Sequence, residues 1–333
     1  MLKLKIGTYL VSVLFLVVAC SSKTTTKNEN STQGVYKKVS PEFNQDSAYR
    51  YIDNQVGFGY RVPNSPEHVA CGDYLVAQLK HFGAEVIEQK AEVKAYDGTV
   101  LNMRNIIGSY NVDQAERILL FAHWDTRPFA DRDGNPENHR KPILGANDGA
   151  SGIGVLLEIA RQIQLKTPAL GIDIIFFDAE DYGTPAFDDD TDNSQNWWCL
   201  GSQYWSKNPH TPNYKARYGI LLDMVGAPSA TFYKEQYSDV YATDVVRKIW
   251  GTAYSLGYGK YFINKKGGAI IDDHVPVIEN RNIPCANIVQ FDPNSSLGFG
   301  WYWHTMNDDM KNINRETLKA VGQTVMEIIY KEK

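Results

Sequence analysis

The stretch Ile172-Asp173-Ile174-Ile175-Phe176-Phe177-Asp178-Ala179-Glu180-Asp181 is a largely apolar run that ends abruptly in acids. Ile172–Phe177 reads as a strand covered on both faces. The pattern recurs on either side. Leu119-Leu120-Phe121-Ala122, within a strand Arg117–Ala122, runs into His123-Trp124-Asp125, and Ile220-Leu221-Leu222, within a strand Tyr218–Asp223, runs into Asp223. Amphipathic stretches separate such strands, with helices expected at Ser151–Ile163, Val240–Leu256 and Arg315–Tyr330 and a further strand at Cys285–Val289. This alternation predicts an α/β fold: a single domain with a mostly parallel, twisted, mixed sheet and helices on both faces.

Upstream, Asp46–Val56 and Glu67–Phe82 carry helically spaced apolar residues, the second punctuated by Pro66 and Gly83. Glu85–Glu88 and Leu101–Ser109 flank the turn Asp97-Gly98 and predict an edge hairpin. No internal repeat or second domain boundary is visible. The polar stretch Thr184–Asn196 is the longest insertion without periodicity.

The chain has 333 residues, 43% hydrophobic and 22% charged, with 34 Lys and Arg against 39 Asp and Glu for a net charge of −5. That balance suits a globular protein and offers no basic tract for nucleic acid. Lys3 and Lys5 precede a short apolar run ending in Val17-Val18-Ala19-Cys20-Ser21-Ser22, the pattern of a bacterial lipoprotein signal. Residues 1–19 are therefore expected to be a removed leader, with Cys20 the lipidated first residue of an exported chain. Loss of Lys3 and Lys5 takes the net charge from −5 to −7. Ser21–Gln33 has no large apolar side chain, so residues 20–44 are read as lipidated Cys plus disordered tether and 45–333 as the catalytic domain. Cys71, Cys199 and Cys285 allow at most one disulfide and are read as buried hydrophobes.

Sheets of this kind present functional groups at the carboxyl ends of their strands, and here those ends are acids and His. The glycine-rich turn Gly145–Gly152 adds Asp148 at a helix start, and Trp303-His304-Thr305 adds an imidazole. Carboxylates and imidazoles without thiols are the donor set of a catalytic zinc with an open position. Asp188-Asp189-Asp190 with Asp192 is either a solvated loop or a calcium site.

The spacing of these pieces resembles the zinc aminopeptidase fold. Leu200-Gly201-Ser202, Leu221–Pro228, Asp272-Asp273-His274-Val275-Pro276 and Trp303–Asp308 resemble its glutaminyl cyclase branch. Within that branch, Glu180-Asp181 and Trp198–Ser202 are similar to the envelope-anchored form of the Bacteroides group. The resemblance implies one zinc on Asp148, Asp181 and His304, with Glu180 as general acid/base and Asp223 and Asp272 as its hydrogen-bond partners. It makes Trp198, Trp303 and Phe299 the wall around a glutamine side chain. The implied substrates are peptides and exported proteins with N-terminal Gln, closed to pyroglutamate with release of ammonia. The implied location is periplasmic, lipid-anchored to a membrane. Asp181 stands where the aminopeptidases carry a second Glu, and Asn287 where mammalian cyclases carry a His. His123 keeps open the alternative of a two-zinc aminopeptidase using His123, Asp148, Asp181, Asp223 and His304.

Overall fold

The computed structural model describes residues 36–188 and 196–333. The leader, Cys20 and Asp189–Asp192 of the acidic loop lie outside the described residues, so the lipid-anchor and calcium readings find no test in the fold.

The sheet is built from β1 (Glu85–Lys94), β2 (Val100–Tyr110), β3 (Arg117–His123), β4 (Gly171–Phe177), β5 (Gly219–Asp223) and β8 (Cys285–Val289), in the order β1-β2-β4-β3-β5-β8. The hairpin β1–β2 is antiparallel and β2 joins β4 antiparallel; β3, β4, β5 and β8 run parallel. Every residue of β4, β5 and β8 is buried, in keeping with their largely apolar character. Because β4 lies on one side of β3 and β5 on the other, the strand order switches at β3. A crevice opens there beyond the carboxyl ends.

One face is covered by α1 (Gln45–Gly57), α2 (Pro66–His81), α3 (Ala150–Leu165), α6 (Thr243–Ser255) and α8 (Arg315–Lys331). The other carries α4 (Leu200–Lys207), with its Trp205, and α7 (His274–Arg281) over Phe121, Phe177 and Leu221. Local chemistry sets the helix starts: Asn44 accepts from Ser47 N–H at α1, and Ser65 accepts from His68 N–H ahead of Pro66 at α2. A small parallel pair, β6 (Phe232–Lys234) and β7 (Phe262–Lys266), flanks the main sheet. Among the described residues, no helix is long and apolar enough to cross a membrane.

Two expectations need correction. The helix expected at Val240–Leu256 is two helices, α5 (Gln236–Tyr241) and α6, broken at Ala242 (φ −137°, ψ 37°). Glu235 caps α5 by accepting from Tyr237 and Ser238 N–H, so a new helix starts upstream of the periodic stretch. The tether also ends earlier than residue 44. Glu327 on α8 accepts from the N–H groups of Val39 and Ser40, and Phe43 is buried against Gly322, where a Cβ would come within 2.2 Å of its ring. Tyr36–Asn44 therefore belongs to the compact unit that runs to Lys333.

Candidate active site

His123 ends β3, Asp223 ends β5, and the Glu180-Asp181 turn follows β4. Asp148 opens α3 through Gly149 (φ 93°), where a Cβ would meet Asp125 O at 2.8 Å and His123 Cε1 at 3.1 Å. Ala179, Cys199, Met224 and His304 all adopt left-handed backbone, with φ between 48° and 59°. Among the described residues the other non-glycine positions of this kind are Ser229 and four asparagines, and asparagine tolerates that region. The strained backbone thus gathers where the strand ends converge.

Two triads form there, sharing Asp148. Asp148, Asp181 and His304 bring ligand atoms within 4.8 Å of one another, as do His123, Asp148 and Asp223. His304 Nε2 stands 3.3 Å from Asp181 Oδ1 and 3.5 Å from Asp148 Oδ2. His123 Nε2 stands 3.1 Å from Asp148 Oδ1 and 3.4 Å from Asp223 Oδ1. All these side chains are buried, yet Asp148 Oδ2, Asp181 Oδ2 and Asp223 Oδ1 lack any hydrogen-bond partner. Buried carboxylate oxygens without donors, facing imidazole nitrogens, are what a divalent cation would satisfy, so the residues fit zinc.

The supports are acids too. Asp125 accepts from both Glu180 N–H and Asp181 N–H at 3.1 Å, fixing the turn that carries them. Asp308 accepts from Asn147 N–H at 2.8 Å and Asp148 N–H at 3.0 Å. Asp131 Oδ1 lies 3.5 Å from His304 Nδ1, leaving Nε2 toward the triad.

Glu180 points elsewhere. Its Oε1 accepts from the Cys199 thiol at 3.3 Å, and Glu180, Cys199 and Asp272 bring ligand atoms within 4.8 Å of one another. Asp272 accepts from Asn287 Nδ2 at 2.7 Å, so Asn287 is a neighbour of this cluster. Asp223 pairs instead with His123. Burial raises the Glu180 carboxyl well above the usual range, helped by Asp181, Asp272 and Asp273. Burial and then Asp272 push Asp223 up to about 7, and burial raises Asp272 and Asp181. Burial disfavours ionised Asp148 as well, but the contact with His123 overcomes it and holds that carboxyl low.

Asp148, Glu180, Asp181, Asp223, Asp272 and His304 line one cavity of about 420 Å³, together with Trp198, Trp303 and Phe299. Trp198 stacks parallel to His304 (6.1 Å between centroids, 7°), Trp303 stacks on the same imidazole at 3.7 Å, and Phe299 rests on Trp303 at 4.5 Å. Every cavity residue singled out in the sequence therefore converges here. Sequence reading passed over Arg127, Asp131 and Asp308 as functional supports. Asp308 closes the quoted Trp303–Asp308 run, but nothing local marks its bond to a turn far upstream. Cys71, Cys199 and Cys285 are free and buried, as expected of them.

The chain is similar to several known proteins. The structure of a glutaminyl cyclase from Tannerella forsythia is 59% identical, covers 88% of this chain and 100% of its own, and superposes with a TM-score of 0.86. A Zn-dependent exopeptidase from Parabacteroides distasonis is 60% identical, with 88% and 100% coverage and a TM-score of 0.87. The glutaminyl-peptide cyclotransferase of Bos taurus is 27% identical over 297 residues, 79% of this chain and 76% of that one. The model of Peptidase family M28 matches residues 105–329, a span that takes in both triads, Glu180 and the aromatic wall, and the chain belongs to that family.

Proposed function

We propose that the chain is a zinc-dependent glutaminyl-peptide cyclotransferase, closing the N-terminal glutamine of peptides and exported proteins to pyroglutamate with release of ammonia. The observation that carries this reading is the placement of Glu180 beside, but outside, the Asp148–Asp181–His304 triad, in a cavity walled by Trp198, Trp303 and Phe299. The cyclases among the similar structures support it.

Asp148, Asp181 and His304 would hold one zinc, which when bound supplies a Lewis acid for the γ-carbonyl of the glutamine. The aromatic wall holds the flexible side chain folded, with the α-amine against the carbonyl carbon of its own γ-carboxamide. The amine nitrogen forms the new C–N bond, the bond to the amide nitrogen breaks, and ammonia leaves. Glu180 takes the proton from the attacking amine and delivers it to the departing nitrogen, a transfer suited to a carboxyl with a raised pKa. The Cys199 thiol holds Glu180 in the cavity lining, and the neighbouring Asp272 carboxylate favours its protonated form. No activated water is required.

The second triad favours one other reading, a two-zinc aminopeptidase using His123 and Asp223 in addition. Purified protein incubated with a Gln-peptide and a Leu-peptide separates the two. The cyclase reading expects ammonia from the first, no free amino acid from either, and about one zinc per chain after dialysis. Two tightly held zincs with release of free leucine would transfer the assignment to aminopeptidase. We further propose that Cys20 carries a lipid holding the domain at a membrane of the bacterial envelope, facing the periplasm. A Cys20→Ser chain should stay active and leave the membrane pellet; a chain still pelleting would refute the anchor.

A further inference from the structure

Arg127 lies just past His123, and its guanidinium is buried (1% exposed) behind the cavity wall. Nε and Nη2 donate to the two carboxylate oxygens of Asp131 at 2.8 and 2.7 Å. Nη1 donates to Asp181 O at 3.0 Å and stands 3.5 Å from the Asp181 carboxylate, while Nη2 donates to Thr184 O at 3.3 Å. The guanidinium also lies over the Trp198 ring, 4.7 Å from its centroid. Asp131, held by this fork, faces His304 Nδ1 at 3.5 Å and accepts from Ala186 N–H at 2.7 Å.

A single buried ion pair thus touches both outer residues of the triad and the aromatic wall. A planar fork can satisfy Asp131, the Asp181 main chain and the indole face together; a lysine ammonium, a single nitrogen on a flexible stem, cannot. We propose that Arg127, through Asp131, is a positioning residue that sets the spacing between Trp198 and the ligand residues Asp181 and His304. Metal retention and grip on the glutamine side chain then depend on one element. The inference rests on the zinc triad proposed above.

The test compares the unchanged chain with Arg127→Lys, the milder Asp131→Asn, and a control, Arg117→Lys. The control breaks a bidentate pair with Asp173 at the opposite end of the sheet. Zinc content is followed through a chelator titration, and KM and kcat are measured for a Gln-peptide. Arg127→Lys is expected to release zinc at about 10–100-fold lower chelator and to raise KM several-fold. Asp131→Asn should shift both in the same direction but less, and Arg117→Lys should lower Tm and move neither. If Arg127→Lys does not fold, Asp131→Asn decides alone. Zinc retention and KM unchanged in the Arg127 and Asp131 variants, or moved equally by Arg117→Lys, would overturn the proposal. An unchanged chain that takes up no zinc removes the triad and this inference with it. One that binds zinc but forms no pyroglutamate overturns the cyclase reading alone, and the chelator titration still decides the role of Arg127.

Discussion

At the amino end of the sheet, the buried Asp173 is saturated. Arg117 binds both its oxygens, at 2.6 and 2.8 Å, Ser109 Oγ donates at 2.6 Å and the Tyr214 hydroxyl at 2.7 Å. At the carboxyl end, Asp148, Asp181 and Asp223 are buried too, yet each keeps an oxygen with no donor. The first arrangement is complete without a ligand. The second leaves buried charge that the fold alone does not compensate, so the chain must hold those strand ends rigidly by other means. Asp125, Asp131 and Asp308 do this from behind, through backbone N–H groups and an imidazole.

The contrast breaks most visibly at Glu180. Glu180→Gln keeps the size of the side chain and removes its proton, so turnover should fall by about 10²–10⁴-fold while zinc content and Tm stay near those of the unchanged chain. Near-normal turnover would make Glu180 structural. At the saturated end the cost should appear in stability instead. Asp173→Asn weakens the charge-assisted pairing of the half-buried Arg117 guanidinium and should lower stability by about 1.5–3 kcal/mol, read by denaturant unfolding, with kcat per folded molecule unchanged.

Asp223 should behave in the opposite sense. Burial and Asp272 push its carboxyl up to about 7, so the folded chain binds that proton more tightly than the unfolded chain does. In metal-free protein the ionised group therefore weakens the fold above pH 7, and this weakening fades as pH falls toward about 4. Asp223→Asn should raise the Tm of metal-free protein at pH 8 and leave it unchanged near pH 4; a shift that does not vary with pH would remove the argument.

Glu235 asks whether saturation or location decides, because it lies toward the active-site side yet is fully engaged. Burial opposes its ionisation, but His274 and the N–H groups of Tyr237 and Ser238 prevail and hold its pKa at about 2. Its contribution is present above the ordinary carboxyl range and lost as pH falls through about 4 toward 2. Glu235→Gln should cost about 1–2 kcal/mol at pH 7 in chemical denaturation and nothing near pH 2.

The strands and the acids that end them were legible because both are local: an apolar run names the strand, and the next residue names its mouth. The aromatic wall became legible only through resemblance, since Trp198 and His304 meet by tertiary packing. The break at Ala242 escaped notice because the Glu235 cap precedes the periodic stretch, and the docking of Tyr36–Asn44 because Glu327 is supplied by the far end of the chain. Asp173 and Asp223 look alike in sequence, each an acid in an apolar strand. Only Arg117, Tyr214 and Ser109 around the first reveal that it is structural.

Asp148 offers one oxygen toward His123 and the other toward His304. That shared carboxylate joins the two triads at a single residue. A substitution at His123 or Asp223 dismantles one triad and leaves the other intact, and a change at Asp181 or His304 does the reverse, in neither case disturbing the residue at the centre. Asp148 itself, common to both, is the residue whose loss dismantles the two triads together.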